Sequence, residues 1–300
     1  MNPRTLPPAL LSGAGQVRQS GFSLIEIALV LVIAGLALGA GLAALGPQLQ
    51  QRKYTETQRV LSEASDAIAA FVLVNRRLPC PATAISAGME SFCTNAVGAC
   101  GAAVSPPTAV AGFGRGRCAA AANTGFVPAA TLGLGGQRSD GLIVDAWAQP
   151  LRYVVPATQN TTTNNTGVTP SLNCAGGANA CSPYTQGDGF RNAYYNNLGT
   201  QTSTPTSDVF ICGTAVNINA VNCNLAPQRA NPVFLVYSYG LNLNNPAGGV
   251  DEMANTNADR VFVLHEKAET GAPNGAFDDL FGWVTIGQLT SKMSDGGMLK

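Results

Sequence analysis

From Phe22 to Leu45 the chain reads FSLIEIALVLVIAGLALGAGLAAL, a run whose one ionisable side chain is Glu26. So long and so apolar a stretch has few ways to fold. As a helix rising 1.5 Å per residue it would extend about 36 Å, enough to cross a hydrocarbon core of roughly 30 Å. A cleaved secretory signal has a shorter apolar core, followed by a small-residue cut site. Here the small residue, Gly21, comes before the run. Arg4 and Arg18 also precede it with no acid beside them. By the positive-inside rule the N-terminus stays cytoplasmic and everything after Leu45 is exported.

Glu26 is the anomaly in this stretch. An acid near the centre of a membrane span costs about 2.5–3.5 kcal/mol, and a position about 6 Å past Phe22 softens that penalty without removing it. A buried carboxylate wants a cation. Cleavage between Gly21 and Phe22 would supply one, because the new α-amine of Phe22 has a reference pKa of about 7.7–8.0. The string Gly21-Phe22-Ser23-Leu24-Ile25-Glu26, followed by an unbroken apolar stretch, resembles the class III signal of type IV prepilins and type II secretion pseudopilins. That resemblance implies that prepilin peptidase cuts after Gly21 and N-methylates Phe22. It implies too that Glu26 pairs with the amine of a neighbouring subunit during filament assembly. The leader, residues 1–21, is longer than the very short leaders of many family members. Gly35 and Gly39 form a G-x-x-x-G, read either as a site of close helix approach or as small residues common in membrane helices.

Pro47 is a point where the helix would kink, but apolar periodicity resumes beyond it. Val60, Leu61, Ala64, Ile68, Phe71 and Val72 recur at helical spacing, with Arg59, Glu63 and Asp66 falling mostly elsewhere. One helix is therefore predicted from Phe22 to Asn75, ended by Pro79. Residues 1–21 read as leader, 22–45 as transmembrane or filament-core helix, 46–78 as its amphipathic continuation and 79–300 as a globular head. Residues 80–140 show no sustained period and read as a cross-linked loop region. After them, Leu142–Asp145, Leu151–Val155, Asp208–Cys212, Val233–Tyr239 and Arg260–Leu264 read as strands. The stretch 157–171 reads as a polar loop and Trp283–Met293 as a short helix. The expected fold class is α+β: a long N-terminal helix, transmembrane in its first half, packed on a disulfide-rich antiparallel β-sheet head. Asp140-Gly141 through Asp145, Trp147, Pro150 and Tyr153 resembles the Asp-x-Trp-Gly-x-Pro-x-x-Tyr segment of major pseudopilins, with Ala148 in place of the usual glycine. Both resemblances imply a pilin-like head.

All eight cysteines, Cys80, Cys93, Cys100, Cys118, Cys174, Cys181, Cys212 and Cys223, follow the apolar run. In an exported head they read as disulfides. A zinc site is disfavoured, because no C-x-x-C pair exists and His265 is the sole histidine. Eight cysteines allow on the order of 100 pairings. The expectation taken is sequential: Cys80–Cys93, Cys100–Cys118, Cys174–Cys181 and Cys212–Cys223, the last two each closing a short loop bounded by turn-forming residues.

Charged residues make up 11% of the chain, and 17 basic side chains balance 17 acidic ones, so no nucleic-acid footprint is visible. No nucleophile motif appears, and a catalytic triad would have to use His265, so no enzyme is expected. Asp251, Glu252, Asp278 and Asp279 are weak calcium candidates, joined by Asp259 and by Asn242, Asn244 and Asn245. Oxygen donors suit that ion, though the spacing matches no defined calcium loop. The pseudopilins resembled bind calcium in a late loop; no other cofactor is expected. The function the resemblance implies is a filament subunit of a type IV pilus or type II secretion system, and the large size of the chain after the leader points to a minor pilin or minor pseudopilin. Its partners would be prepilin peptidase, other pilin or pseudopilin subunits, an inner-membrane assembly platform and membrane lipid before assembly. Its place would be the bacterial inner membrane with the head periplasmic, and then the filament. The alternatives are a pilin-anchored adhesin or substrate-binding tip, and a bitopic anchored protein without a filament role.

Overall fold

A computed structural model of the chain describes residues 21, 23–93, 103–104, 117–121, 125–136, 138, 140–156, 179–181, 183–185, 207–241, 249–257, 259–269 and 271–297. The side chains of 39–45, 103–104, 117, 121, 179–181 and 183 lie outside that description. The chain divides into two units, Met1–Gln50 and Gln51–Lys300.

Helix α1 runs from Leu24 to Asn75 and carries Pro47 inside it. In the first unit its described apolar side chains are bare: Leu24 is 89% exposed and Leu36 71%. No helix among the described residues is long and apolar enough to cross a membrane. From Gln51 onward the helix turns amphipathic. Val60, Leu61, Ala64, Ile68 and Val72 are buried, and Glu56, Arg59 and Glu63 form exposed ion pairs along another face. Pairs so exposed contribute little; burial of the stripe holds the helix. The helix stops where Arg76 takes a left-handed φ of 57° while its N–H still bonds the Val72 carbonyl. That matches the predicted end at Asn75.

Beneath the stripe lies a three-stranded antiparallel sheet. It is ordered β10 (Leu280–Thr285), β8 (Pro232–Ser238), β4 (Arg152–Val154). All seven residues of β8 are buried, so it is covered on both faces. Its period of two divides them: Phe234 and Val236 join the core under α1, while Leu235 and Tyr237 join a second core with Ile211 and Phe262. That second core is shared with a sheet ordered β7 (Gln228–Ala230), β6 (Phe210–Cys212), β9 (Val261–Val263). Here the expected antiparallel arrangement fails at one pair, because β6 and β9 run parallel. Helix α1 approaches β10 closely at Gly282, where a Cβ would lie 2.8 Å from Ser65 Oγ. The last helix, Ile286–Asp295, starts at a Thr285–Gln288 capping box and buries Ile286, Leu289 and Met293. It begins later than the predicted Trp283, because Trp283–Thr285 complete β10.

The described residues within 80–140 hold more regular structure than a loop region. They contain β1 (Phe92–Cys93), β2 (Ala103–Val104), β3 (Arg117–Ala121) and the short helix α2 (Ala129–Leu132). With β5 (Asn179–Cys181) the strands make a sheet ordered β2-β1-β3-β5. Leu142–Asp145, expected as a strand, forms bridge positions at Ile143 and Val144 rather than a strand, with Val144 opposite Pro150. The polar stretch 157–171 lies outside the described residues.

Two disulfides are described, Cys80–Cys118 and Cys212–Cys223. The second is the expected pair. The first corrects two expectations, Cys80–Cys93 and Cys100–Cys118. Its reason lies in register: Phe92, not Cys93, stands opposite Cys118 on β3. Cys93 therefore faces the other side of the sheet, and its own disulfide partner lies outside the described residues. The pairing Cys174–Cys181 also lies outside the described set.

Candidate functional site

The two groups of predicted site residues fall in different units. Gly21 and Glu26 are exposed, with Glu26 in the first turn of α1, where its N–H bonds the Ser23 carbonyl. A negative side chain there meets the positive end of the helix dipole. Nothing lies within 4 Å of a Cβ built at Gly21. Phe22 lies outside the described residues.

The acidic residues of the head are brought together only in part. Helix α3, Val250–Ala254, carries Asp251 and Glu252, and the residues just before β10 are Asp278 and Asp279. Glu252, Asp278 and Asp279 converge, each offering a carboxylate oxygen within 4.8 Å of the others, and all three are buried. Asp251 does not join them. Neighbours on a helix point about 100° apart, and its carboxylate turns to Ala215 N–H, Thr214, Asn274 and the imidazole of His265 at 3.0 Å. Asp259 caps its own turn through Val261 N–H. Asn242, Asn244 and Asn245 lie outside the described residues.

Each converging carboxylate is held by partners distant in sequence. Glu252 Oε1 accepts the Asp278 N–H at 2.7 Å. Asp278 Oδ2 accepts Leu241 N–H at 3.1 Å and the Tyr54 hydroxyl at 3.4 Å. Asp279 Oδ2 accepts the Asn255 amide at 2.7 Å. Asp278 is only 9% exposed, yet its Oδ1 is buried with no hydrogen-bond partner. Gly240, at φ 65°, allows this approach: a Cβ there would meet Asp278 Oδ1 at 2.5 Å. Burial pushes the Asp279 carboxyl well above its usual range, and the charges of Glu252 and Asp278 add to the rise, against the Asn255 bond. Asp278 is raised as well, chiefly by burial, against its bonds from Leu241 and Tyr54 and the influence of the neighbouring Glu252 carboxyl. Three like charges packed this closely favour a shared proton or a bound cation. Hard oxygen donors suit a divalent ion of the Ca²⁺ type.

Two residues of this site carry no signal in the sequence. Asn255 looks like any turn asparagine, and Tyr54 sits in the polar run QQRKYTETQ. Both are recruited by tertiary contacts. His265 packs its ring on Phe277 and places Nδ1 2.6 Å from the Glu266 carbonyl oxygen, so its ring is engaged in holding the loop.

No known protein family, curated protein or solved structure matches this chain.

Proposed function

We propose that the chain is a subunit of a type IV pilin-like filament, a minor pilin or minor pseudopilin, anchored in the bacterial inner membrane before assembly by the apolar run that the sequence places at 22–45. The observation that carries this is the division of labour along one helix. Up to Leu38 its described side chains are apolar and bare, with one acid at the fifth position after Gly21; from Val60 to Val72 it buries a stripe in the head. The bare portion suits lipid first and neighbouring helices afterwards. Exchanging lipid for helix contacts gains little from burial, so packing shape and the pairing of Glu26 with a processed Phe22 amine would set the register. Prepilin peptidase, sister subunits and an assembly platform are the partners this reading requires. The test is Glu26→Val in a cell carrying the machinery. Cleavage stays intact and incorporation into filaments falls; normal incorporation contradicts the proposed pairing.

A second reading concerns the head, and the orphaned, buried Oδ1 of Asp278 favours it. Glu252, Asp278 and Asp279 would hold a divalent cation, which neutralises their mutual repulsion and ties α3 to the segment leading into β10. Isothermal titration of the full chain in detergent tests it, with saturable Ca²⁺ binding expected and none up to about 1 mM contradicting it, the weak end for extracellular modules.

A further inference from the structure

Tyr54 belongs to α1, yet its hydroxyl meets a carboxylate 224 residues away in the chain. The acceptor is Asp278 Oδ2, which also takes the Leu241 N–H, whereas Oδ1 is the buried oxygen without a partner. One carboxylate thus divides its duties: Oδ2 is committed to Leu241 and the helix, and Oδ1 is buried against Gly240 without a hydrogen bond. The Tyr54 ring is fixed by two further contacts. Trp147 meets it edge-on at 5.1 Å, and the Lys267 ammonium lies 5.1 Å from its centroid. One turn along the helix, the fully buried Thr57 accepts the Ala146 N–H at 3.2 Å. The stretch of α1 around 54–57 therefore holds both the 145–148 turn and the carboxylate set.

We propose that a cation at Glu252, Asp278 and Asp279 acts on α1 through Tyr54, so that occupancy of the site sets how firmly residues 51–57 of the helix are held to the head. This rests on the cation reading above. An ion taken by Oδ1 fixes the plane of the Asp278 carboxylate and keeps Oδ2 aimed at the phenol, as outer hydrogen bonds orient metal-binding groups generally. Without an ion, repulsion from Glu252 and Asp279 acts on the same carboxylate and loosens the contact with Tyr54. The stretch of α1 around Tyr54 is then held most firmly to the head when divalent ions are present, while the buried stripe from Val60 to Val72 holds the rest of the helix in either case.

Hydrogen exchange on the full-length chain in detergent, with Ca²⁺ at about 1 mM or with chelator, tests this. In the wild type, Ca²⁺ slows exchange several-fold in a peptide covering residues 51–60. Tyr54→Phe keeps the ring and loses the hydroxyl. It binds Ca²⁺ by calorimetry with an affinity close to wild type, but the Ca²⁺-dependent protection of 51–60 disappears. Trp147→Phe disturbs the ring packing while leaving the hydroxyl, and retains that protection. Protection persisting in Tyr54→Phe, or lost equally in both variants, overturns the coupling while leaving the cation reading intact. Absence of Ca²⁺ binding to the wild-type chain overturns both.

Discussion

Asn255 joins Asp279 to β9: its amide nitrogen donates to Asp279 Oδ2 at 2.7 Å and to the Val263 carbonyl at 3.0 Å, and its Oδ1 accepts the Val263 N–H at 2.7 Å. The side chain is fully buried, and its own carbonyl accepts the Tyr239 hydroxyl. One residue therefore fixes the acidic pocket to the second core. Asn255→Ala would leave a backbone N–H, a carbonyl and a carboxylate in the interior without their partner. Each such loss costs about 1–3 kcal/mol, so the variant should lose at least about 2 kcal/mol in urea unfolding. A loss below half of that would mean that the pocket relaxes or admits water.

The pocket also sets a pH dependence. Asp279 and Asp278 have folded-state pKa values raised above the ordinary 3.8, so the folded chain holds their protons more tightly than the unfolded chain. Their contribution is complete below that ordinary value and is lost as pH rises through the folded values. In chelator, thermal stability should therefore fall from this source as pH rises above about 4. Asp279→Asn should flatten the fall, and saturating Ca²⁺ should do the same by stabilising the ionised set. Melting curves across pH for the two proteins check both effects.

Arg77 and Glu90 form a buried, two-pronged ion pair, both bonds at 2.8 Å, just after α1 ends. The guanidinium also lies over the rings of Phe71 and Phe92. Glu90→Ala strands that charge away from water and should cost about 3–5 kcal/mol. Denaturant midpoints measure it, and an effect as small as that of a surface pair would contradict the assigned burial.

How much of this was legible in the chain depends on how local each signal is. The stripe Val60–Val72 and the stop after Asn75 were readable, because helical period and the approach of Pro79 are local. Val233–Tyr239 was readable as a strand because β8 is a continuous apolar run. β10 was not: LFGWVT is apolar but interrupted by Gly282, whose role is to let α1 come close. The Cys80–Cys118 bond was missed because sequence proximity carries no register, and register decided which cysteine faced Cys80. Of the five acids singled out in the head, three converge; Asp259 caps its own turn, and Asp251 stays apart, since a shift of one residue on α3 turns its side chain toward Ala215 and His265. Asn255 and Tyr54 are ordinary polar residues until the sheets bring Asp279 and Asp278 to them.

The central claim is a filament helix freed by a cut on the cytoplasmic side, exposing an amine for Glu26. Mass spectrometry of the N-terminal peptide from protein isolated from its native cell reads this directly. The account predicts a chain that starts at N-methylated Phe22. An uncut chain, or a new start beyond Leu45, would contradict it.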